Sequence, residues 1–183
     1  MEDIYLDSDF IISFIKSTSE DYFHIFQEVC RGYRFIAPRE VQTELNRREE
    51  RIVKRFGALV KYKDVEIFDM RVDEMAYVFK CMLMHRTRGH KGIGSGEAAA
   101  IALCADRRGV LASNNMRDVA QQISNQKLKH ITTSRVLGQA YVTGLISLEK
   151  AEMIWADMLT YRTFLPDKSF SSFLVRNETW PLE

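Results

Sequence analysis

The sequence is poor in cysteine, lacks a long apolar run and carries almost no net charge. Its three cysteines, Cys30, Cys81 and Cys104, are odd in number and far apart, which argues against a disulfide framework and against a four-cysteine zinc site. No segment approaches the roughly 20 apolar residues that are needed to cross a bilayer. The start, Met1-Glu2-Asp3, lacks the basic region and apolar run of a signal peptide. We therefore expect a cytoplasmic protein that does not associate with membranes.

Neither sign of charge predominates, because the chain has 26 Lys and Arg residues and 25 Asp and Glu residues, for a net charge of +1. This balance neither favours nor excludes a nucleic-acid partner, since a near-neutral protein can carry a local basic surface. Two basic clusters stand out, and each alone is typical of a solvated surface. Together they predict a rim that binds the phosphates of a nucleic acid. The rim residues are Arg47, Arg48 and Arg51 on one predicted helix, and Arg86, Arg88 and Lys91 in one predicted loop.

The composition is that of a globular protein, with 46% hydrophobic and 28% charged residues in a chain of 183. This length predicts a single domain over residues 1–183, with a core at about 1–143 and a C-terminal helical extension at 144–183. The extension contains several aromatic residues, which we expect to complete the core or to form a homodimer interface. These residues are Trp155, Tyr161, Phe164, Phe170 and Phe173.

Short apolar segments alternate with segments of helical spacing along the chain. The pattern predicts strands at residues 4–6, 33–37, 65–68 and 110–112, and a short one in the segment KHITT. The segments between them have helical spacing, including one long charged stretch in which Val41, Leu45, Ile52, Phe56 and Leu59 recur. This alternation predicts an α/β fold in which a mostly parallel central sheet of about five strands is flanked by helices, with extra helices at the C-terminal end.

Three carboxylates occupy places that converge at one edge of such a sheet. Asp7 follows the first strand, Glu44 lies on the helix after the second strand, and Glu97 begins the helix before the fourth strand. Each has an ordinary interpretation: Asp7 as a helix cap, Glu44 as an exposed helix residue, and Glu97 as a partner of the helix dipole. Gathered in one cleft, the three would offer the hard oxygen ligands that suit Mg²⁺ or Mn²⁺.

Four segments in this order resemble the motifs of PIN-domain nucleases. IYLDSDFI is similar to the opening of that family, APREVQTEL to its second motif with a helical glutamate, and GSGEAAAIALCADRRGVLASNN to its third and fourth motifs together. The resemblance covers residues 4–135 and is best around Gly96 and Glu97. It implies a PIN-like α/β/α sandwich, an acidic pocket that holds one or two Mg²⁺ or Mn²⁺ ions, and hydrolysis of RNA. Many members of the family are VapC-like toxins of toxin–antitoxin pairs, which would make a cognate antitoxin a partner.

The resemblance also implies roles for individual residues. Asp7 and Glu97 would bind the metal directly, and Glu44 would bind it through water. Asp9 would support these ligands without binding the metal, because a strand-to-helix turn points it away from Asp7. The basic rim described above would then bind RNA.

The fourth motif departs from the family pattern, because Ser113-Asn114-Asn115 stands where relatives show a sequence close to Thr-Asn-Asp. An amide is a neutral oxygen ligand, so this change predicts weaker metal binding. Asp118 lies three residues beyond Asn115, about one helical turn along the same face. We therefore expect Asp118 to supply the fourth catalytic carboxylate and to bind the metal, although it also suits a helix start. Ser113 and Asn114 would orient water or phosphate beside it.

Other classes of function remain open at this point. A nucleotide-binding loop is disfavoured, because GHKGIGSGE lacks GxxxxGK[ST] and no lysine follows its glycines. The main alternative to a ribonuclease is a noncatalytic PIN-like module that binds RNA or protein through a degenerate metal site. A structural partner whose carboxylates are surface residues is the third.

Overall fold

The computed structural model of the chain describes residues 1–17, 22–85 and 92–176, except for the side chains of 116–118. The described residues form five strands: β1 (Asp3–Leu6), β2 (Arg34–Pro38), β3 (Glu66–Phe68), β4 (Val110–Ala112) and β5 (Lys129–Ile131). The helices are α1 (Ser8–Ile15), α2 (Phe23–Val29), α3 (Arg39–Leu45), α4 (Glu50–Lys61), α5 (Met75–Met84), α6 (Ser95–Arg107), α7 (Met116–Gln126), α8 (Thr133–Val142), α9 (Leu148–Thr160) and α10 (Phe170–Val175).

The strands form one parallel sheet in the order β3-β2-β1-β4-β5. This confirms the predicted α/β fold with about five parallel strands flanked by helices. The chain builds the sheet outward in one direction from β1 through β2 to β3, and in the other direction from β1 through β4 to β5. The order therefore reverses between β1 and β4, the place where open α/β sheets bind ligands beyond the carboxyl ends of their strands.

Side chains of alternate strand residues enter two apolar cores, one on each face of the sheet. Ile4 and Leu6 of β1 point into the larger core, which contains residues of α1, α2, α3, α4, α8, α9 and α10. Tyr5 points into the other core, together with residues of α5, α6 and α7. Period-two alternation of this kind is what a strand requires when both faces of its sheet are covered.

Helix α6 lies close to the sheet because its side chains are small. Ala98, Ala99, Ala100 and Ala102 are fully buried, and the helix contacts both β1 and β2. The tight packing fixes the start of α6, where Gly96 and Glu97 lie.

The long charged stretch was predicted to have continuous helical spacing, but the structure divides it into α3 and α4. The two helices are separated at residues 46–49, where Arg48 N donates a hydrogen bond to Leu45 O at 3.0 Å. The apolar residues of both helices still enter the same core. Arg47 and Arg48 therefore lie in a connection between helices, whereas Arg51 lies on α4.

The aromatic residues of the C-terminal extension do not share one environment. Three of them are buried in the larger core: Trp155, Phe170 and Phe173. For these residues the expectation that the extension completes the core is confirmed. Phe164 is 80% exposed, which makes the expectation of a core anchor wrong for that residue. No helix in the described part of the chain is long and apolar enough to span a bilayer.

Candidate active site

Asp7 lies at the point where β1 ends and the strand order reverses. Its backbone N–H donates to Ala112 O of β4 at 3.1 Å, which continues the pairing of the two strands by one residue. Its carboxylate Oδ1 accepts a hydrogen bond from Phe10 N at 2.7 Å and so caps α1. The side chain is only 2% exposed. Asp7 is thus both the predicted cap and a buried carboxylate.

Burial raises the pKa of the Asp7 carboxyl to about 7. Hydrogen bonds from the Ser113 hydroxyl and the Phe10 amide oppose this rise, whereas the nearby carboxylates of Asp9 and Glu44 add to it. The main neighbours that act on this pKa are thus a hydroxyl, a backbone amide and two carboxylates. The edge therefore brings three carboxyl groups, those of Asp7, Asp9 and Glu44, close enough to repel one another when ionised.

Glu44 joins the elements that carry the other candidate residues. Its Oε2 accepts a hydrogen bond from the Ser8 hydroxyl at 2.6 Å, in the first turn of α1. Its Oε1 accepts one from Gly96 N at 2.8 Å, at the start of α6. The Glu44 carboxylate can occupy this position only beside a glycine, because a Cβ added at Gly96 would lie 2.5 Å from Oε2 of Glu44. The turn that carries Glu97 is thereby held against the turn that carries Asp7.

Glu97 lies in the first turn of α6. It follows Gly96, whose backbone N–H donates a hydrogen bond to Glu44. Its side chain is half-buried, and its Oε1 is inaccessible to solvent. Among the described side chains, no three His, Cys, Asp or Glu residues form a cluster that would hold a metal ion. The backbone places Asp118 in the first turn of α7, as expected, but its side chain lies outside the described ones.

Three polar residues follow β4 and have different environments. Ser113 is buried, accepts a hydrogen bond from Asn115 N at 3.2 Å and contacts Asp7 through its hydroxyl. Asn114 was expected to orient water or phosphate, but its amide is engaged within the protein. It donates to Ser13 Oγ at 2.9 Å and to Thr133 Oγ1 at 2.8 Å, and it accepts from Thr133 N at 2.8 Å.

Asn115 occupies the N-cap position of α7 and is half-buried, without a side-chain capping bond to that helix. Asp9 is exposed in the first turn of α1. Both residues line the same cavity, described below, so the edge opens to solvent on their side. Asp9 adds to the negative charge around Asp7 without sharing its hydrogen bonds.

The predicted basic rim is only partly described. Arg47 and Arg48 are exposed. Arg51 instead donates a hydrogen bond to Lys16 O at 2.6 Å, just after the end of α1. Arg55 acts similarly on Ile15 O and Ser17 O. Both arginines thus bind carbonyls at a helix C-terminus, where cations are favoured. Arg86, Arg88 and Lys91 lie outside the described residues.

Two cavities adjoin the acidic edge. One of about 350 Å³ lies between α1, the connection from α3 to α4, and the segment after α9. Another of about 570 Å³ lies beside β5 and the start of α8. Asn114, Asn115 and Phe164 line both of them. No local pattern in the sequence places Lys16 or Arg162 at a site, and Phe164 was expected in the core or in a homodimer interface, because their proximity depends on the path of the chain after α9.

The geometry defines an α/β protein whose acidic site lies at the reversal point of a parallel sheet. Comparison of the chain with models of known families gives no match, and comparison with curated proteins gives none either. The functional interpretation therefore rests on the site and on the motif resemblance.

Proposed function

We propose that the protein is a metal-dependent ribonuclease that hydrolyses RNA phosphodiester bonds at the acidic edge formed by Asp7, Glu44 and Glu97. The observation that carries the proposal is the buried Asp7 carboxyl, which lies at the reversal of the strand order close to the carboxylates of Asp9 and Glu44. A desolvated carboxylate costs several kcal/mol unless it is paired or binds a metal ion. The motif resemblance supports the same interpretation.

The oxygen-rich donor set suits a hard divalent cation such as Mg²⁺ or Mn²⁺. Asp7 and Glu97 would hold the ion directly. Both oxygens of Glu44 already accept hydrogen bonds from the protein, so its contact with an ion would run through water. The described carboxylates do not form a three-ligand cluster, and the proposal therefore assigns the further ligand to Asp118.

The bound ion would lower the pKa of a water molecule and would neutralise charge on the scissile phosphate. The residues of the protein prepare the site for this chemistry. The Ser113 hydroxyl and the Phe10 amide fix the orientation of the Asp7 carboxylate. Glu44 fixes the separation between the β1–α1 turn and the start of α6. Hydrolysis of this type needs no covalent nucleophile from the chain.

The direct test measures Mn²⁺ affinity by titration calorimetry together with cleavage of a fluorescent single-stranded RNA. We expect Asp7→Asn and Glu97→Gln to weaken Mn²⁺ binding more than about tenfold and to abolish cleavage. The matched control is Glu149→Gln, which changes an exposed carboxylate in the first turn of α9 and should leave both measurements unchanged. Unchanged Mn²⁺ affinity in both site variants would overturn the proposal.

The role of Asp118 is tested separately with Asp118→Asn and Asn115→Ala. We expect the first variant to lose Mn²⁺-dependent cleavage and the second to retain part of it, since a neutral amide is the weaker ligand. A fully active Asp118→Asn would refute the assignment.

A second candidate function is a noncatalytic module that binds RNA or protein. The observation that favours it is the absence of a carboxylate from Ser113-Asn114-Asn115, where Asn114 binds other parts of the protein instead. RNA binding without cleavage by the unmodified chain would favour this module.

A toxin role would follow from the ribonuclease proposal and from the resemblance to VapC-like proteins. Expression of the chain should then arrest bacterial growth, and Glu97→Gln should relieve the arrest. Arrest that persists in Glu97→Gln at equal expression would contradict a nuclease toxin.

A further inference from the structure

The cavity of about 350 Å³ beside the acidic edge has basic residues on both of its walls. One wall carries Lys16 from the end of α1 and Arg48 from the connection between α3 and α4. The other wall is the segment after α9, which carries Arg162 and Phe164. We call this cavity the groove. Asp9, Glu49 and Asn115 also line it, so the groove has three basic and two acidic residues and opens beside the acidic edge at Asp9.

Phe164 is the unusual member of the groove. Its side chain is 80% exposed, although it is a large aromatic residue. A single exposed apolar residue needs no explanation by itself. Phe164 differs because it lines both cavities and lies among basic residues that also line the groove.

Hydrogen bonds on both sides of Phe164 hold the backbone of its loop in place. Thr163 N donates to Met158 O at 3.0 Å, and Lys16 Nζ donates to Tyr161 O at 3.3 Å. Beyond Phe164, Trp155 Nε1 donates to Asp167 O at 3.0 Å. The segment is therefore anchored on both sides of Phe164, and the ring is presented on a supported loop.

The neighbouring aromatic residue does not offer the same surface. The guanidinium of Arg51 lies 5.8 Å from the centre of the Tyr161 ring, and the Tyr161 side chain is half-buried. A cation over a ring competes with other groups for that face. Phe164 is the more accessible platform of the two.

We infer that the groove binds single-stranded RNA, with one base stacked on Phe164 and the backbone phosphates bound by Lys16, Arg48 and Arg162. This inference rests on the proposed nuclease function and adds the residues beside the acidic edge that would hold the RNA strand. Aromatic platforms combined with a basic groove are the general means by which proteins bind single strands. A duplex would not use this platform, because its bases are already stacked on each other.

The test measures binding of a fluorescein-labelled 12-nucleotide single-stranded RNA by anisotropy, with EDTA present to prevent cleavage. Phe164→Ala should weaken binding about tenfold, which is the size expected for loss of one base stack. Phe164→Trp should bind as the unmodified chain does. The matched control is Val175→Ala, because Val175 is 79% exposed on α10, away from the groove. Phe164 and Val175 are both exposed. We therefore expect Phe164→Ala, Phe164→Trp and Val175→Ala to keep the melting temperature of the parent.

The phosphate contacts are tested by salt dependence. Arg162→Gln should reduce the slope of log affinity against log salt by about 0.7, the value for one phosphate contact on a single strand. The same RNA annealed to its complement should bind more weakly and should be insensitive to Phe164→Ala. Equal sensitivity of duplex and single strand would overturn the inference.

A parallel cleavage assay in Mn²⁺ distinguishes failure of the groove from failure of the nuclease proposal. If the unmodified chain cleaves RNA while Phe164→Ala binds it as tightly as the parent, the groove is wrong and the nuclease proposal stands. If the chain binds through Phe164 but does not cleave, the groove stands and the catalytic proposal fails. A chain that neither binds nor cleaves RNA contradicts both.

Discussion

At the scale of the residue, Gly96 shows how one missing side chain shapes the candidate site. The Glu44 carboxylate occupies the space that a Cβ at position 96 would need, with its Cδ only 2.8 Å from that position. Glu44 cannot move aside without losing its bonds to Ser8 Oγ and Gly96 N. The sequence indicated this turn by its motif, but only the structure shows that its glycine and the helical glutamate depend on each other.

We predict that Gly96→Ala abolishes activity with little change in stability. The substitution displaces the Glu44 carboxylate and loses hydrogen bonds worth about 0.5–1.5 kcal/mol each. Alanine recovers about 1 kcal/mol of helix propensity relative to glycine. A double-mutant cycle by urea unfolding checks the coupling. In a Glu44→Ala background, Gly96→Ala should be stabilising, and equal effects in both backgrounds would contradict the proposed contact.

Asp7 gives a prediction about pH. Its carboxyl pKa is raised to about 7 in the folded chain, against about 3.9 in an unfolded one. The folded state therefore binds the proton more tightly, and the stability from this group is fully present below a pH of about 3.9 and is lost progressively as the pH rises to about 7. Asp7→Asn should stabilise the metal-free protein at pH 8 by at most about 4 kcal/mol, and at pH 5 by no more than about 1.5 kcal/mol.

Thermal melts in EDTA at pH 5 and pH 8 measure this difference. Addition of Mn²⁺ at pH 8 should stabilise the unmodified chain and not Asp7→Asn. An effect of the substitution that is the same at both pH values would show that Asp7 keeps an ordinary pKa.

At the scale of the element, spacing predicted most strands and helices because each buries one regular face. The division between α3 and α4 was missed for a physical reason. Leu45 and Ile52 are seven residues apart, which equals two helical turns, and the residues between them include neither glycine nor proline. The pattern is the same for one helix and for two helices that enter one core, so tertiary packing decides the outcome.

The candidate site shows a similar limit of sequence analysis. Strand ends predicted which residues lie at the acidic edge, because parallel strands end on one side. Asn114 was placed there correctly, but its partners Ser13 and Thr133 are 101 and 19 residues away along the chain. Long-range hydrogen bonds of this kind have no local pattern. Asn114, which was expected to orient water or phosphate, instead joins α1 and α8 to the segment after β4.

We predict that Asn114→Ala destabilises the protein by about 2–4 kcal/mol, because it removes three hydrogen bonds and leaves buried polar groups of Ser13 and Thr133 without them. Urea unfolding measures the change. Asn125→Ala is the control, since Asn125 is exposed on α7, and it should change stability by under about 0.5 kcal/mol. Full stability combined with lost activity in Asn114→Ala would instead return Asn114 to the ligand-orienting role.

At the scale of the whole molecule, the C-terminal helices are part of the folding unit. Tyr141 of α8 contacts Phe170 with 5.7 Å between ring centroids, and Trp155 of α9 contacts the same ring at 5.6 Å. Tyr22, at the start of α2, donates a hydrogen bond to Asp157 on α9 at 3.0 Å. The division into a core at 1–143 and an extension at 144–183 describes the sequence, whereas the larger apolar core includes residues from both parts.

We therefore predict that Phe170→Ala destabilises the whole chain by about 3–5 kcal/mol, the usual cost of removing a buried phenylalanine ring. Unfolding in urea should remain one transition, with far-UV circular dichroism and tryptophan fluorescence changing together, because α10 shares its core with β1 and α1. Phe164→Ala is the matched control, since that ring is 80% exposed and its loss should cost under about 0.5 kcal/mol. An early fluorescence transition that leaves most of the circular dichroism signal intact would show that the C-terminal helices unfold separately. The groove wall that carries Phe164 would then be able to detach from the acidic edge while the sheet stays folded.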